Sequence, residues 1–354
     1  MYKCNVDMEV MTRRFGTTAD GEEIHLHSMW NGRVQLDVID YGARIVRICA
    51  PDMDGSITDV TFGYDSCEDY LANRTSFGAL MGRHAGRIDG ASFTINGTTY
   101  GLEKDRNGNN LHSGKDRYSR RLWKTVSADE DGVVLRIESP DGDQGFPGNA
   151  VVTVTYSITE DNGIRIEYDA CSDKDTVFNM TNHAYFNLDG PGSDSVSEHV
   201  LQIDSDMVTV DREDGVCDWG SMSVDGTVLD FRSPSPIGRG FGDDAPKDGG
   251  YDNTYLLNGN GFRKVAYLES KRSGISLDVY TDMPAMVLYT ANSLSERGRG
   301  GELHGPRSAV CLETQYVPGS IDKGDFDKCV FRAGEHFRSV TEYRFRDTYP
   351  DIVW

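Results

Sequence analysis

The chain has 354 residues, 38% apolar and 10% aromatic, with 36 Lys plus Arg against 57 Asp plus Glu for a net charge of −21. A chain this long buries about three quarters of its unfolded surface and needs no disulfide or metal staple, and its apolar content is too high for disorder. The negative charge argues against nucleic-acid or anionic-membrane partners, which require Lys and Arg, and no run approaches the ~18–20 apolar residues of a membrane span.

Residues 1–7 lack the apolar run of a secretory signal. Seven cysteines (4, 49, 67, 171, 217, 311 and 329) are odd in number, scattered and without a CxxC pair, which suits reduced cytoplasmic thiols. The Asn-x-Thr triplets at Asn73, Asn96 and Asn179 then read as chance matches rather than glycan acceptors.

Residues 23–27 read as a strand that puts His25 and His27 on one face. No third ligand stands near them, so the pair reads as a polar strand face and no catalytic metal is expected. Val34, Leu36 and Val38 alternate with polar residues, the period of a half-buried strand. Residues 66–73 form the best helical pattern, with Ser66 as cap and Asp69 three positions on. Asn96-Gly97 separates residues 92–95 from 98–102 as a hairpin turn, because Asn-Gly supplies the positive φ angles of a two-residue turn. Val152, Val154, Tyr156 and Ile158 alternate, as do Ile164, Ile166 and Tyr168, with Asn162-Gly163 between them as a second hairpin turn. Asn258-Gly259-Asn260-Gly261 after Tyr255-Leu256-Leu257 reads as a third. Gly298-Arg299-Gly300-Gly301 lacks a following helix and the spacing of a phosphate cradle, and reads as a mobile loop. Together these features describe an all-β chain with few short helices. It forms one domain over residues 1–354, a large antiparallel sandwich whose stacked sheets cover their edges.

Four segments hold concentrated chemistry. Gly82-Arg83-His84-Ala85-Gly86-Arg87 carries two Arg and a His, and Asn109-Asn110-Leu111-His112 is a polar loop with one His. Asn179-Met180-Thr181-Asn182-His183-Ala184-Tyr185-Phe186-Asn187 mixes amides, a His and aromatics, while Val310-Cys311-Leu312-Glu313-Thr314-Gln315 sets a carboxylate inside an apolar strand. Each has a plain reading: Arg83 or Arg87 in a structural ion pair, His112 bonded to a loop carbonyl, His183 a satisfied core histidine, Glu313 the partner of an arginine. Together they make a sugar-binding inventory, in which amides and carboxylates grip hydroxyls and aromatic rings meet C–H faces.

These segments sit in an ordered series that resembles the aldose 1-epimerase (galactose mutarotase) family over nearly the whole chain. The series runs through Phe15-Gly16, Tyr41-Gly42-Ala43, Pro51-Asp52-x-Asp54-Gly55 and Phe77-Gly78-Ala79-Leu80-Met81-Gly82-Arg83. It continues with Arg87-Ile88, Leu111-His112-x-Gly114, Trp123 and Asp141-Gly142-x-x-Gly145-Phe146-Pro147-Gly148. Thr181-Asn182-His183-x-Tyr185-Phe186-Asn187-Leu188, Gly226-Thr227-x-x-Asp230-Phe231, Tyr251-Asp252 and Leu312-Glu313-Thr314-Gln315 complete it.

The resemblance implies a supersandwich with an open sugar cleft and cofactor-free exchange of the α and β anomers of a free aldohexose. Glu313 matches the base that takes the C1 hydroxyl proton, and His183 the acid that protonates the ring oxygen. Their ordinary pKa values, ~4.3 and ~6.5, suit those roles, and a negative Glu313 would help His183 keep its proton. His112 and Arg87 match residues that bind the sugar near its reacting end. Asp252 matches the residue that fixes sugar hydroxyls, and Gln315 supports Glu313 or the sugar. Three departures stand out: Gly86 where the family usually has Asn, Ser113 where Gly is usual and Asn253 where His is common. The implied partner is a small sugar substrate, and the chain is expected to be a monomer or homodimer. A non-catalytic sugar-binding module remains the alternative on the same fold, and a glycoside hydrolase using Asp252 with Glu313 is a third.

Overall fold

The most regular alternation in the sequence makes the centre of the largest sheet. Val152, Val154, Tyr156 and Ile158 lie on the strand Ala150–Ile158, and Ile164, Ile166 and Tyr168 on Gly163–Ser172. The register sets Val154 opposite Tyr168, Tyr156 opposite Ile166 and Ile158 opposite Ile164. Opposed residues of an antiparallel pair share a face, so from Val152 to Ile158 and from Ile164 to Ala170 one side of this ladder is apolar and buried. The computed structural model describes residues 8–72, 75–242, 245–324 and 326–346. Cys4, the rest of residues 1–7, and Asn73 lie outside the described residues.

The ladder belongs to a nine-stranded sheet. In spatial order its strands are Lys124–Asp129, Gly132–Ser139, Ala150–Ile158, Gly163–Ser172, His336–Phe345, Ser276–Thr281, Arg263–Glu269, Val200–Ile203 and Ser235–Pro236. A five-stranded meander, Glu9–Thr17, Glu23–Trp30, Gln35–Ile39, Arg44–Pro51 and Ile57–Asp59, forms a second sheet. A third has the order Cys217–Ser223, Met207–Asp211, Asp252–Leu256, Ala285–Tyr289 and Cys311–Gln315.

Both smaller sheets lie on the apolar face of the large one. The Tyr156 hydroxyl donates to the Ala43 carbonyl at 2.6 Å, tying the large sheet to the meander, and the Tyr343 hydroxyl donates to the Leu312 carbonyl at 2.9 Å, tying it to the third sheet. Tyr343 stands opposite Ile164, so the two tyrosines project from one face. A continuous core running from Met29 to Phe345 fills the space between the layers. This is the expected sandwich of antiparallel sheets. The single α-helix among the described residues, Cys67–Ala72, is capped as expected: the Asp69 amide donates to Ser66 Oγ at 3.2 Å.

Three turn readings separate on inspection. Asn96 and Gly97 adopt φ of 53° and 77° and close the hairpin between Ser92–Ile95 and Thr98–Gly101, as the dipeptide demands. Asn162-Gly163 does not make a two-residue turn. The chain turns over residues 159–162, with the Thr159 amide donating to the Gly163 carbonyl at 2.8 Å, and only Asn162 is left-handed. Gly163 is a strand residue, glycine because a Cβ there would meet Glu342 Oε1 at 2.4 Å. Asn258-Gly259-Asn260-Gly261 is not a hairpin either, since it carries the chain from the third sheet to the large one. A turn occurs at or beside each of the three places, but only Asn96-Gly97 makes the expected two-residue hairpin turn, and the strand partner decided the other two connections. The loop at residues 298–301 is likewise held down rather than free: the Arg299 guanidinium pairs with Asp59 and the Gly300 amide donates to Asp65 Oδ2 at 2.7 Å.

Candidate active site

The third sheet explains how a carboxylate comes to stand in an apolar strand. Asp252 lies opposite Tyr289, which lies opposite Cys311, and Thr254, Val287 and Glu313 form the next row. These residues and Gln315 therefore share one face. Leu312, Leu288, Met286 and Tyr255 point the other way, into the core between the layers. The outward face is the floor of a cleft of ≈ 600 Å³, within the range of small-molecule sites. All six residues expected from the sequence line it: Arg87, His112, His183, Asp252, Glu313 and Gln315.

Short ladders position the walls. Arg87 begins the strand Arg87–Ile88, which pairs with Asn110–Leu111 and so brings His112 alongside. His112 is left-handed at φ 51°, its amide donates to the Gly86 carbonyl at 3.0 Å, and its Nδ1 accepts the Gly86 amide at 3.1 Å. That hydrogen bond assigns the ring proton to Nε2, which leaves Nδ1 as the acceptor for Gly86. The glycine that departs from the family pattern thus has both backbone groups on His112. Gly86 itself has φ +77°, and a Cβ on it would lie 2.7 Å from Pro318 carbons. Ser113 has a packing role: its hydroxyl accepts the His84 amide at 2.8 Å and donates to the His84 carbonyl at 3.1 Å. Asn253 points its Oδ1 at the amide of Asp252, at 3.3 Å.

His183 ends the strand Thr181–His183, paired with Ala79–Met81. Its Nε2 lies 3.4 Å from Glu313 Oε1, and the two side chains are 8% and 6% exposed. The imidazole stacks on Tyr185 at 4.9 Å and 12°, with Tyr289 edge-on at 6.0 Å and His112 at 5.8 Å. Arg87 approaches Asp252 at 3.8 Å. Tyr289 and Arg117 were not singled out from the sequence. Only the strand register that aligns Tyr289 with Asp252 would have marked the first, and no sequence signal marked the second.

Burial dominates the electrostatics. It pushes the Glu313 carboxyl well above its ordinary 4.5, with the Asp252 charge adding and Arg87 opposing. It lowers His183 to about 3, with help from Arg117. His112 is held well below 6.5, first by burial and then by His183 and the arginines, so it is a neutral donor. Asp252 is raised by burial against the pull of Arg87 and Lys247, and Asp211 reaches about 6 for the same first reason. The expectation that Glu313 would hold a proton on His183 therefore yields to desolvation. Desolvation disfavours the charged form of both partners and so favours a proton on the carboxyl over one on the imidazole.

Several candidates turn out to be scaffold. Arg83 is fully buried and forms no ion pair among the described residues, donating to the Pro147 carbonyl at 2.9 Å, Ser139 Oγ at 2.6 Å and Thr176 Oγ1 at 3.1 Å. Asn179 bonds Tyr316, Asn182 the Gly78 carbonyl and Asn187 the Ser308 carbonyl, so the amides of that motif brace backbone and do not face sugar. His27 is buried between Thr12 and Thr125 hydroxyls at 2.8 and 3.1 Å, and His25 bonds Asp40 at 3.1 Å.

Comparison with known proteins identifies the family. The family model described as "Aldose 1-epimerase" matches residues 25–344. The aldose 1-epimerase of Escherichia coli is 37% identical over 334 residues, covering 92% of this chain and 96% of the relative. The galactose mutarotase of Homo sapiens is 31% identical over 329 residues, covering 92% and 95%. Among solved structures, an aldose epimerase homologue from C. elegans superimposes with a TM-score of 0.84 at 26% identity, over 95% of this chain and 99% of that one. Galactose 1-epimerase from Lactobacillus acidophilus gives 0.83 at 26% identity, over 96% and 99%. The chain belongs to the aldose 1-epimerase family of isomerases.

Proposed function

We propose that this protein is a mutarotase that exchanges the α and β anomers of free aldohexoses such as galactose and glucose, with Glu313 and His183 as its acid–base pair. One observation carries the reading: a carboxylate and an imidazole 3.4 Å apart in a sugar-sized cleft. Anomer exchange needs one proton taken from the C1 hydroxyl and one delivered to the ring oxygen. Both oxygens are bonded to C1, so two groups within hydrogen-bond reach of each other can serve both. Ring opening, rotation about C1–C2 and reclosure with the roles exchanged return the pair to its starting state.

The pair holds a single proton throughout, and the reaction moves it between tautomers. Burial favours carboxylic acid plus neutral imidazole, while the Arg87 charge favours the carboxylate. Bound hydroxyls add donors to that carboxylate, so sugar binding shifts the pair toward carboxylate plus imidazolium, the form that begins ring opening. Once the ring is open the pair is uncharged again, the state its buried surroundings favour. In this scheme His112 donates its Nε2–H to the sugar near the reacting end. Arg87 and Asp252 grip hydroxyls, and Gln315 braces Glu313 or the sugar. Well-placed acid and base groups contribute on the order of 10²–10⁴ each, so no cofactor is called for.

Polarimetry of freshly dissolved α-galactose and α-glucose tests the proposal. Faster approach to equilibrium than in buffer is expected. Binding seen by calorimetry with no acceleration for any aldose would replace this reading with the sugar-binding module. The cytoplasm is the compartment we propose, supported by the six cysteines among the described residues, all of which are free.

A further inference from the structure

The wall that carries Arg87 and His112 is thin. Its ladder is the pairing of Arg87–Ile88 with Asn110–Leu111, and so short a pairing is not stable by itself. Bonds within the wall, such as Asn110 Nδ2 to the Glu103 carbonyl at 2.8 Å, keep its shape without fixing it over the floor. The floor sheet reaches it through a turn. Residues 212–216 join Met207–Asp211 to Cys217–Ser223, with the Arg212 amide on the Val216 carbonyl and the Gly215 amide on the Arg212 carbonyl, both at 2.9 Å. Arg212 and Asp214 cross from this turn to the wall. Arg212 Nη2 donates to Asp89 Oδ1 at 2.8 Å, just past Arg87–Ile88. Asp214 Oδ2 accepts Asn109 Nδ2 at 2.9 Å, just before Asn110–Leu111. Ile88 stands opposite Asn110, so the two contacts clasp both strands at the same end of the ladder. Asp214 also joins the contacts to each other, taking Arg212 Nη2 at 2.9 Å and Arg212 Nε at 3.2 Å.

The contacts differ in strength. Arg212 and Asp214 are 38% and 29% exposed, so the ion pair between them contributes little alone. Asn109 is buried, and its amide is used at both ends: Oδ1 accepts the Gly90 amide at 3.0 Å, and Nδ2 has Asp214. A buried N–H left without an acceptor is costly, so the wall stays where Asp214 can reach it. The same turn supports the arginine. Gly215 lines the cleft at φ +77°, and a Cβ on it would lie 2.9 Å from Arg87 Cζ, Arg87 Nη1 and Lys247 Nζ. The Arg87 guanidinium therefore rests on the turn, 3.8 Å from Asp252. We infer that Asp214 is a positioning residue, which through Asn109 and Arg212 fixes the wall to the floor sheet and so sets how Arg87 and His112 meet a sugar held at Asp252 and Glu313. This rests on the mutarotase reading, in which Arg87 and His112 hold the substrate.

Polarimetric kinetics on galactose and glucose over a range of concentrations test this. Asp214→Ala and Asn109→Ala should each raise KM at least about fivefold while lowering kcat no more than about twofold, the signature of lost ground-state binding. Both substitutions break one bond, so the double variant should be no worse than either single. Asp214→Asn keeps an acceptor for Asn109 and should restore most of the original KM. Arg212→Ala, at a more exposed position, should raise KM at least about twofold and decides the question if Asp214→Ala does not fold. An unchanged KM in the Asp214 or Arg212 variant, a fall in kcat alone, or KM increases that multiply in the double variant overturns the inference. Normal exchange of both sugars with no such effect removes the positioning role and leaves the mutarotase reading standing. Failure of the unsubstituted protein to accelerate exchange of any aldose overturns the mutarotase reading. In that event, calorimetric galactose binding that Asp214→Ala weakens and Asp214→Asn restores would still support the positioning role.

Discussion

In the strand Ala150–Ile158, alternate residues are buried and the others face outward, and every buried side chain is apolar. In the strand Cys311–Gln315, all five residues are buried, and the alternation separates Leu312 on the core side from Glu313 and Gln315 on the cleft side. The same backbone period thus yields stability in one sheet and chemistry in the other. What differs is the layer opposite. The large sheet presses its apolar face on other apolar faces. The cleft face of the third sheet meets a roof of loops and short ladders that leaves room for a ligand. Burial of methyl groups there would gain hydrophobic free energy. Burial of Glu313 and His183 instead moves both away from their ordinary pKa values, the carboxyl up and the imidazole down.

If that contrast holds, substitutions in the two strands should fail in different ways. The largest effect is expected at the cleft: Glu313→Gln and His183→Asn should each cut kcat/KM by at least about a hundredfold with an unchanged melting curve, because neither replacement can exchange a proton. A near-normal polarimetric rate in either variant would remove its role. Next comes Ile166→Ala on the strand beside Ala150–Ile158. Its side chain is fully buried, so the loss should be about 2–5 kcal/mol of unfolding free energy in urea, with kcat per folded molecule preserved. A loss below about 1 kcal/mol would mean that this face is not the packed one.

The pH dependence sharpens the comparison further. His183, lowered to about 3, takes up a second proton only in strong acid, while burial moves the loss of the proton on Glu313 upward from the ordinary carboxyl range. The singly protonated pair therefore persists further into acid than ordinary side chains would allow. At pH ~3.5 an unshifted carboxyl–imidazole pair would retain about a tenth of its maximal rate, whereas the buried pair should keep most of it. An acid limb centred near ~4.5 in kcat/KM would contradict the assignment. The smallest expected effect is Ser113→Ala. It breaks both hydrogen bonds to the His84 backbone and should cost about 1 kcal/mol in thermal unfolding, with a modest rise in KM as His112 loosens. An unchanged melting temperature would show that the hydroxyl bears no strain-free load there.

Much of the fold was legible because alternation reports burial directly. Val152, Val154, Tyr156 and Ile158 needed no partner to declare a strand, and Asn96-Gly97 needed none to declare a turn. Asn162-Gly163 and Asn258-Gly259-Asn260-Gly261 carried the same local signal but different connections. The geometry around a glycine depends on what lies beyond the turn, here Glu342 in one case and a change of sheet in the other. The six site residues were legible by type and by their place in a family series. Arg83 and the amides Asn179, Asn182 and Asn187 were equally suggestive by type, yet the fold turns them inward onto backbone.

Residue types and their order determined that this chain builds antiparallel sheets and carries the inventory of an acid–base sugar enzyme. Only the tertiary structure decided which carboxylate and which imidazole meet and how burial acts on each. Period and composition act along a few neighbouring residues. Desolvation and contact distance depend on segments more than a hundred residues apart, such as those of His183 and Glu313, and no local pattern encodes that approach.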